Sequence, residues 1–183
     1  MSNVFNRDAS HSFFKWSKLG DIKAGRAELG EDMPVVVYRL LEYSMLNVLV
    51  DEYGKDRADE LFRKAGFLAG FEFAANVLDL SLDIDGFFAA LQKVLKDLRI
   101  GILRIEHFDE ETGDLILTVS EDLDCSGLPV TNEVVCNYDE GLLSGILKAY
   151  TRKDYKVREI DCWASGDRVC RFRGTVMSPE TAE

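Results

Sequence analysis

The hydrophobic period of this chain changes near Ile100, from the 3.6-residue spacing of helices to the two-residue alternation of strands, and that change limits the folds open to it. Upstream, Pro34 opens a helical pattern in which Val37, Leu40, Leu41, Ser44, Met45, Val48 and Leu49 recur at i, i+3, i+4 until Gly54 ends it. Asp56 fits the N-cap of a second helix, with Ala58, Leu61, Phe62, Ala65, Ala69, Phe73 and Val77 on one stripe. Gly66 and Gly70 lie four apart on that helix and would let another helix approach closely. A third helix is expected over Asp83–Leu98. Beyond it, residues 100–107 alternate as a strand, Asp109–Gly113 turns the chain, and Asp114–Ser120 returns as a second strand. A loop over Asp122–Asn132 precedes a helix over Asn137–Thr151, and strands over Lys156–Asp161 and Val169–Val176 flank a turn at Ala164–Asp167. Such an order defines an α+β fold, with N-terminal helices packed on an antiparallel sheet of about four strands and one helix inserted.

The 183-residue length suits one domain, expected over residues 31–177. Residues 1–30 read as an arm without a core of its own. Gly20, Gly25 and Gly30 suggest a short hairpin or extended run over Lys18–Glu31, and residues 178–183 a frayed tail. A net charge of −11 opposes binding to nucleic-acid phosphates or anionic membranes. The longest apolar run, Pro34–Val50, is broken by Arg39, Glu42 and Asn47, and Met1–Gly20 lacks a signal-peptide layout. A cytoplasmic protein with reduced thiols is therefore expected.

That expectation bears on the four cysteines, all of which fall between positions 125 and 170. Cys162 and Cys170 flank a turn near Gly166; if the strands pair, their Cβ atoms come about 4.5–5.5 Å apart. Glu159 lies three residues before Cys162, so both reach one ion only if the backbone bends near Asp161. Cys136 sits just ahead of a helix N-terminus, which favours a thiolate. Three thiolates and a carboxylate suit Zn²⁺. Spacing alone leaves that reading open beside two others, buried hydrophobic thiols and a redox disulfide. Cys125 stands apart in a loop with Glu121, Asp122 and Asp124: near the zinc it could exchange as a ligand or act as a redox-sensing thiol, and otherwise it is a loop residue without chemistry.

The run from Cys136-Asn-Tyr-Asp-Glu-Gly141 through Glu159-Ile-Asp-Cys162 to Cys170-Arg-Phe172 resembles the V4R (4-vinyl reductase) domain. Its pattern is a Cys before a Gly-rich helix, Glu-x-x-Cys, a Gly turn and Cys-x-Phe. Upstream segments around Gly25-Arg26 and Val37–Tyr43 are similar to small stand-alone members. The resemblance implies a fold shared with Bet3-type trafficking subunits, small-molecule sensing, and homodimers. In aromatic-sensing regulators of this kind a structural zinc is held by Cys, Glu, Cys and Cys, which here correspond to Cys136, Glu159, Cys162 and Cys170. A hydrophobic ligand would then lie among Phe87, Phe88, Leu91, Leu117, Val119, Tyr138 and Trp163. The only histidines, His11 and His107, do not sit where those regulators read a phenol hydroxyl, and no DNA-binding or ATPase domain is present.

Despite the family name, no dinucleotide fingerprint or nucleophile–base arrangement supports an enzyme. The expected function is a zinc-stabilised module that binds a small hydrophobic or aromatic molecule and acts through a partner protein. The alternatives are a Bet3-like scaffold and an accessory protein in tetrapyrrole or corrinoid metabolism.

Overall fold

A computed structural model of the chain describes residues 14–178, which fall into two compact units divided between Asp32 and Met33. In the first, a 3₁₀ turn over Trp16–Leu19 precedes the short helix α1 (Ile22–Gly25). The hairpin or extended run expected over Lys18–Glu31 is therefore corrected to helical turns. Asp21 is the reason: its carboxylate caps α1 by accepting from the Ala24 amide at 2.9 Å. The expected tail lies outside the described residues except for Ser178.

The second unit contains helices α2 (Val35–Tyr53), α3 (Lys55–Val77), α4 (Ile84–Asp97) and α5 (Asn137–Thr151). Its strands are β1 (Ile102–Phe108), β2 (Leu115–Ser120), β3 (Tyr155–Asp161) and β4 (Cys170–Val176). Gly54, at φ 79°, ends α2 and starts α3 with no intervening loop, so Asp56 lies in the first turn of α3 and is not its cap. Asp83 does cap α4, accepting from the Gly86 amide at 2.9 Å.

The four strands form one antiparallel sheet in the order β1-β2-β4-β3. Opposed residues share a face, so Leu103, Val119 and Cys170 make one row, and Ile105, Leu117, Phe172 and Glu159 the next. The register slips between Glu159 and Asp161. That irregularity is the bend the glutamate and cysteine need: Glu159 and Cys162 are buried while Asp161 pairs outward with Arg171.

Helices α3 and α5 make the most extensive helix contact. Glycines line it from both sides: a Cβ on Gly66 would lie 2.0 Å from the Tyr138 carbonyl oxygen, and one on Gly141 2.0 Å from that of Arg63. Gly70 and Gly145 repeat the arrangement one turn on. α4 packs on β1, with Phe87 stacked on Tyr150 and Phe88 edge-on to Phe108. Helix α2 differs from the others in having no buried residue along its 19 positions. Among the described residues, no helix is long and apolar enough to cross a membrane.

Candidate metal centre and adjoining cleft

The sulfurs of Cys125, Cys136, Cys162 and Cys170 all lie within 4.8 Å of one another, and all four residues are fully buried. Each arrives from a different element. Cys170 is the first residue of β4, Cys162 follows the irregular end of β3, and Cys136 is the N-cap of α5. Cys125 comes from the loop after β2, turned inward by Asp122, whose Oδ1 accepts from the amides of Asp124 and Cys125 at 2.8 and 3.2 Å. Sulfur separations are 3.9 Å for Cys136–Cys162, 3.8 Å for Cys136–Cys170 and 3.0 Å for Cys125–Cys170. Hydrogen bonds from Cys125, Cys136 and Cys170 push the Cys162 thiol far down, whereas the Cys136 and Cys170 thiols rise, Cys125 being the first cause in each. Four buried sulfurs in this arrangement are able to hold a metal ion.

This set differs from the expected one at a single position. Cys125 joins the cluster, and Glu159 stands beside it, its Oε2 accepting from the Cys136 amide at 3.0 Å. Burial and then the Cys162 thiolate raise the Glu159 carboxyl to about 8, and its Oε1 is buried without a hydrogen-bond partner. Glu140 secures the same corner: it accepts from the Glu159 amide at 2.8 Å and pairs with Arg63 and Arg158. In the sequence Cys125 looks like a loop residue among acids. What turns it inward is the Asp122 side chain, which caps the amides of Asp124 and Cys125.

The expected ligand pocket does not assemble around one space. Phe87, Phe88, Leu91, Leu117 and Val119 are packed in the core, Tyr138 lines a cleft beside α2, and Trp163 borders a different depression near Arg168. The physical reason is that α4 and β2 turn these side chains toward close-packed neighbours. The cleft at Tyr138 is the more distinctive feature. About 330 Å³ in volume, it lies between α2 and α3 and is lined by Tyr38, Leu41, Glu42, Met45, Leu49, Leu61, Phe62, Ala65 and Tyr138. A larger open groove of about 600 Å³ runs between α3, α5 and β3; in it Arg63 and Arg158 hold Glu140, and Lys64 holds Glu60.

The polar wall of the smaller cleft leads to the cysteines. Tyr38 donates to Asp124 Oδ1 at 2.8 Å and Tyr43 to the Asp124 carbonyl at 3.0 Å. Arg39 donates to the carbonyls of Leu123 and Ser126 at 2.8 and 2.9 Å. Burial first, then the neighbouring Asp124, raises Glu42 to about 8, and burial with Asp122 raises Asp124 to about 7. Burial also raises Asp122 and Asp139. Tyr38, Arg39, Glu42 and Tyr43 form a polar stripe on an apolar helix, a pattern legible in the sequence but absent from the expected site.

Residues 115–176 match the V4R domain family. Its sequence relatives include three uncharacterized proteins of Methanocaldococcus jannaschii: one 26% identical over 56% of this chain, one 23% over 85% and one 30% over 49%. The alignments span 58%, 86% and 47% of those relatives' own lengths. Solved structures with the same fold include the phenol-responsive sensory domain of the transcription activator PoxR with phenol (TM-score 0.61, 19% identity, 79% of this chain and 75% of that one). A vinyl-4-reductase family protein of Methanocaldococcus jannaschii matches with a TM-score of 0.57 and 15% identity, over 82% of this chain and 86% of that one. Trafficking protein particle complex subunit 3 of Naegleria fowleri, covalently bound to palmitic acid, matches with a TM-score of 0.59 and 13% identity, over 79% and 98%.

Proposed function

We propose that this protein is a ligand-binding sensory module: a small hydrophobic molecule enters the cleft between α2 and α3, and a zinc ion in the cysteine cluster fixes the loop behind it. The carrying observation is the continuity of the two sites through Tyr38, Glu42 and Asp124 to Cys125. A mostly apolar cleft with a few convergent polar groups and raised carboxyls has the make-up of a small-molecule site. The phenol bound by the PoxR sensory domain and the palmitate on the trafficking subunit accord with hydrophobic ligands on this fold.

The donor set fits zinc. Tetrahedral Zn²⁺ with Zn–S bonds of about 2.3 Å spaces its sulfurs about 3.8 Å apart, close to the 3.8 and 3.9 Å edges at Cys136, whereas the 3.0 Å Cys125–Cys170 edge would have to widen on binding. Bound there, zinc would neutralise the thiolates and tie the sheet, α5 and the Cys125 loop together. Four protein ligands leave no open coordination position, so the role is structural. Ligand occupancy would be passed to a partner protein. Within the cell a reducing, cytoplasmic setting suits these thiols.

The test is elemental analysis with methyl-resolved NMR of the purified protein. One zinc per chain, and shifts confined to Met45, Leu49 and Leu61 when phenol or a medium-chain fatty acid is added, support the reading. Absence of metal, or shifts elsewhere, overturn it. A second reading, a homodimeric assembly module of the Bet3 kind, is favoured by one observation: the outer face of α2 presents Val36, Val37, Leu40 and Val48, between 45% and 66% exposed.

A further inference from the structure

We propose that the open groove between α3, α5 and β3 is a second site, for an organic dianion: a phosphate monoester carried on a small apolar or aromatic body. The inference goes beyond the cleft reading and does not rest on it. Acidic residues outnumber basic ones in this chain by 33 to 22, and the groove reverses that balance. Each of its two lining carboxylates is shared by two cations: Glu140 by Arg63 and Arg158, Glu60 by Lys64 and, from outside the groove, Arg57. Lys156, on the edge strand β3, also lines the groove and makes no ion pair among the described residues. Arg158 bonds to Glu140 and to the Val157 carbonyl through Nη1 alone, which leaves its Nε and Nη2 to donate.

Exposed charge by itself is satisfied by water and salt, and the apolar lining beside it is what makes this groove a site. Phe67 and Leu68 of α3, Val157 of β3 and Met177 supply hydrocarbon next to the donors. The volume of about 600 Å³ suits a small organic molecule. A guanidinium and an ammonium side by side match the oxygens of a phosphate group. Five cations around two carboxylates leave an excess that a doubly charged head offsets further than a single carboxylate does. An organic cation would be repelled, and a neutral alcohol would leave the free donors without an acceptor. A nucleic-acid polyanion would reach past the groove and meet the acidic remainder of the chain.

The experiment is calorimetric titration of the full chain with phenyl phosphate, benzoate and inorganic phosphate at neutral pH, where a phosphate monoester is mostly doubly charged. Methyl-resolved NMR locates the binding. Phenyl phosphate should bind tighter than either of the other two by about tenfold, with shifts at Leu68, Val157 and Met177. Lys156→Glu, at an exposed position, should weaken it by about tenfold or more. Lys93→Glu makes the same charge change on α4, outside the groove, and should leave the affinity unchanged. Inorganic phosphate as tight as phenyl phosphate means an adventitious ion only and overturns the proposal. Benzoate as tight as phenyl phosphate overturns the dianion. Equal weakening by the two lysine variants reduces the binding to attraction by the molecule as a whole and overturns the site. Shifts at Met45, Leu49 and Leu61 instead, or no binding of phenyl phosphate, remove the groove site and leave the cleft reading standing.

Discussion

Four thiols buried against one another have only each other and a metal to satisfy them, so each sulfur substitution tests the cluster at its own scale. Cys125→Ser should lose bound metal and fall in Tm by roughly 10 °C, the size expected when about 4 kcal/mol of linked binding is removed from a domain this long. Glu159→Gln should keep the metal, because that carboxyl is engaged by the Cys136 amide. Elemental analysis of the two variants separates a four-cysteine site from one completed by the glutamate; metal retained in Cys125→Ser and lost in Glu159→Gln would reverse the assignment. Cys136, Cys162 and Cys170 are legible in the sequence because a helix N-terminus and a hairpin place them. Cys125 is not, because its direction depends on an Asp122 hydrogen bond that no spacing encodes. The same neighbourhood sets a pH dependence. Glu42, raised from 4.5 to about 8, stays protonated in the fold while the unfolded chain ionises. Its contribution to stability is therefore full below about 4.5, falls as pH rises, and is gone above about 8. Thermal melts from pH 6 to 9 should show Tm declining, and Glu42→Gln should flatten that slope; an unchanged slope in the variant would assign the decline elsewhere.

At the scale of elements, the α3–α5 crossing depends on four hydrogens that stand where side chains would be. A methyl at Gly66 or Gly141 would meet a carbonyl oxygen at 2.0 Å, and both partners are helix backbone that cannot step aside alone. Gly66→Ala or Gly141→Ala should therefore cost about 3 kcal/mol or more, beyond the small gain in helix propensity that alanine normally brings. Gly25→Ala, with nothing within 4 Å of the added methyl, should be close to neutral. Denaturant midpoints of the three variants check this, and a mild Gly66→Ala would mean the helices cross more loosely than the geometry states. The glycine pair on α3 is visible in the sequence as a seam awaiting a partner. The matching pair on α5, Gly141 and Gly145, has the same four-residue spacing but reads first as part of the Cys-before-helix motif. Helix and strand identities are otherwise legible from period, most plainly where one face is buried, as in α4 and β3. The turns at Trp16–Leu19 and Ile22–Gly25 are not, because the helical one is held by a local cap at Asp21 and neither carries a hydrophobic stripe.

For the whole molecule, helix α2 is the unresolved surface. Its 19 residues span about 28 Å at 1.5 Å per residue, and none is buried. One flank carries Tyr38, Arg39 and Tyr43 toward the Cys125 loop, and the next lines the cleft. The remaining outer face repeats Val37, Leu40, Ser44 and Val48 at helical spacing, hydrophobic except for one small hydroxyl. Apolar residues at i, i+3 and i+11 with a small residue at i+7 suit close pairing with a second helix, and a second copy of α2 meets that need with a two-fold axis. The protein is therefore expected to be a homodimer, and Leu40→Glu, at 66% exposure, should convert it to monomer without unfolding it. Light scattering coupled to size exclusion reads the mass of each. A unmodified chain that runs as a monomer at micromolar concentration would exclude the pairing. A Leu40→Glu dimer would place the interface elsewhere. Because the cleft lies on the flank beside this face, dimerisation through it would leave Glu42 and Met45 open to a ligand while bringing two clefts under the control of one helix pair. Ligand binding that shifts the monomer–dimer equilibrium is then the simplest way for such a module to pass its state to a partner, and the same scattering experiment with and without phenol or a medium-chain fatty acid measures that shift directly.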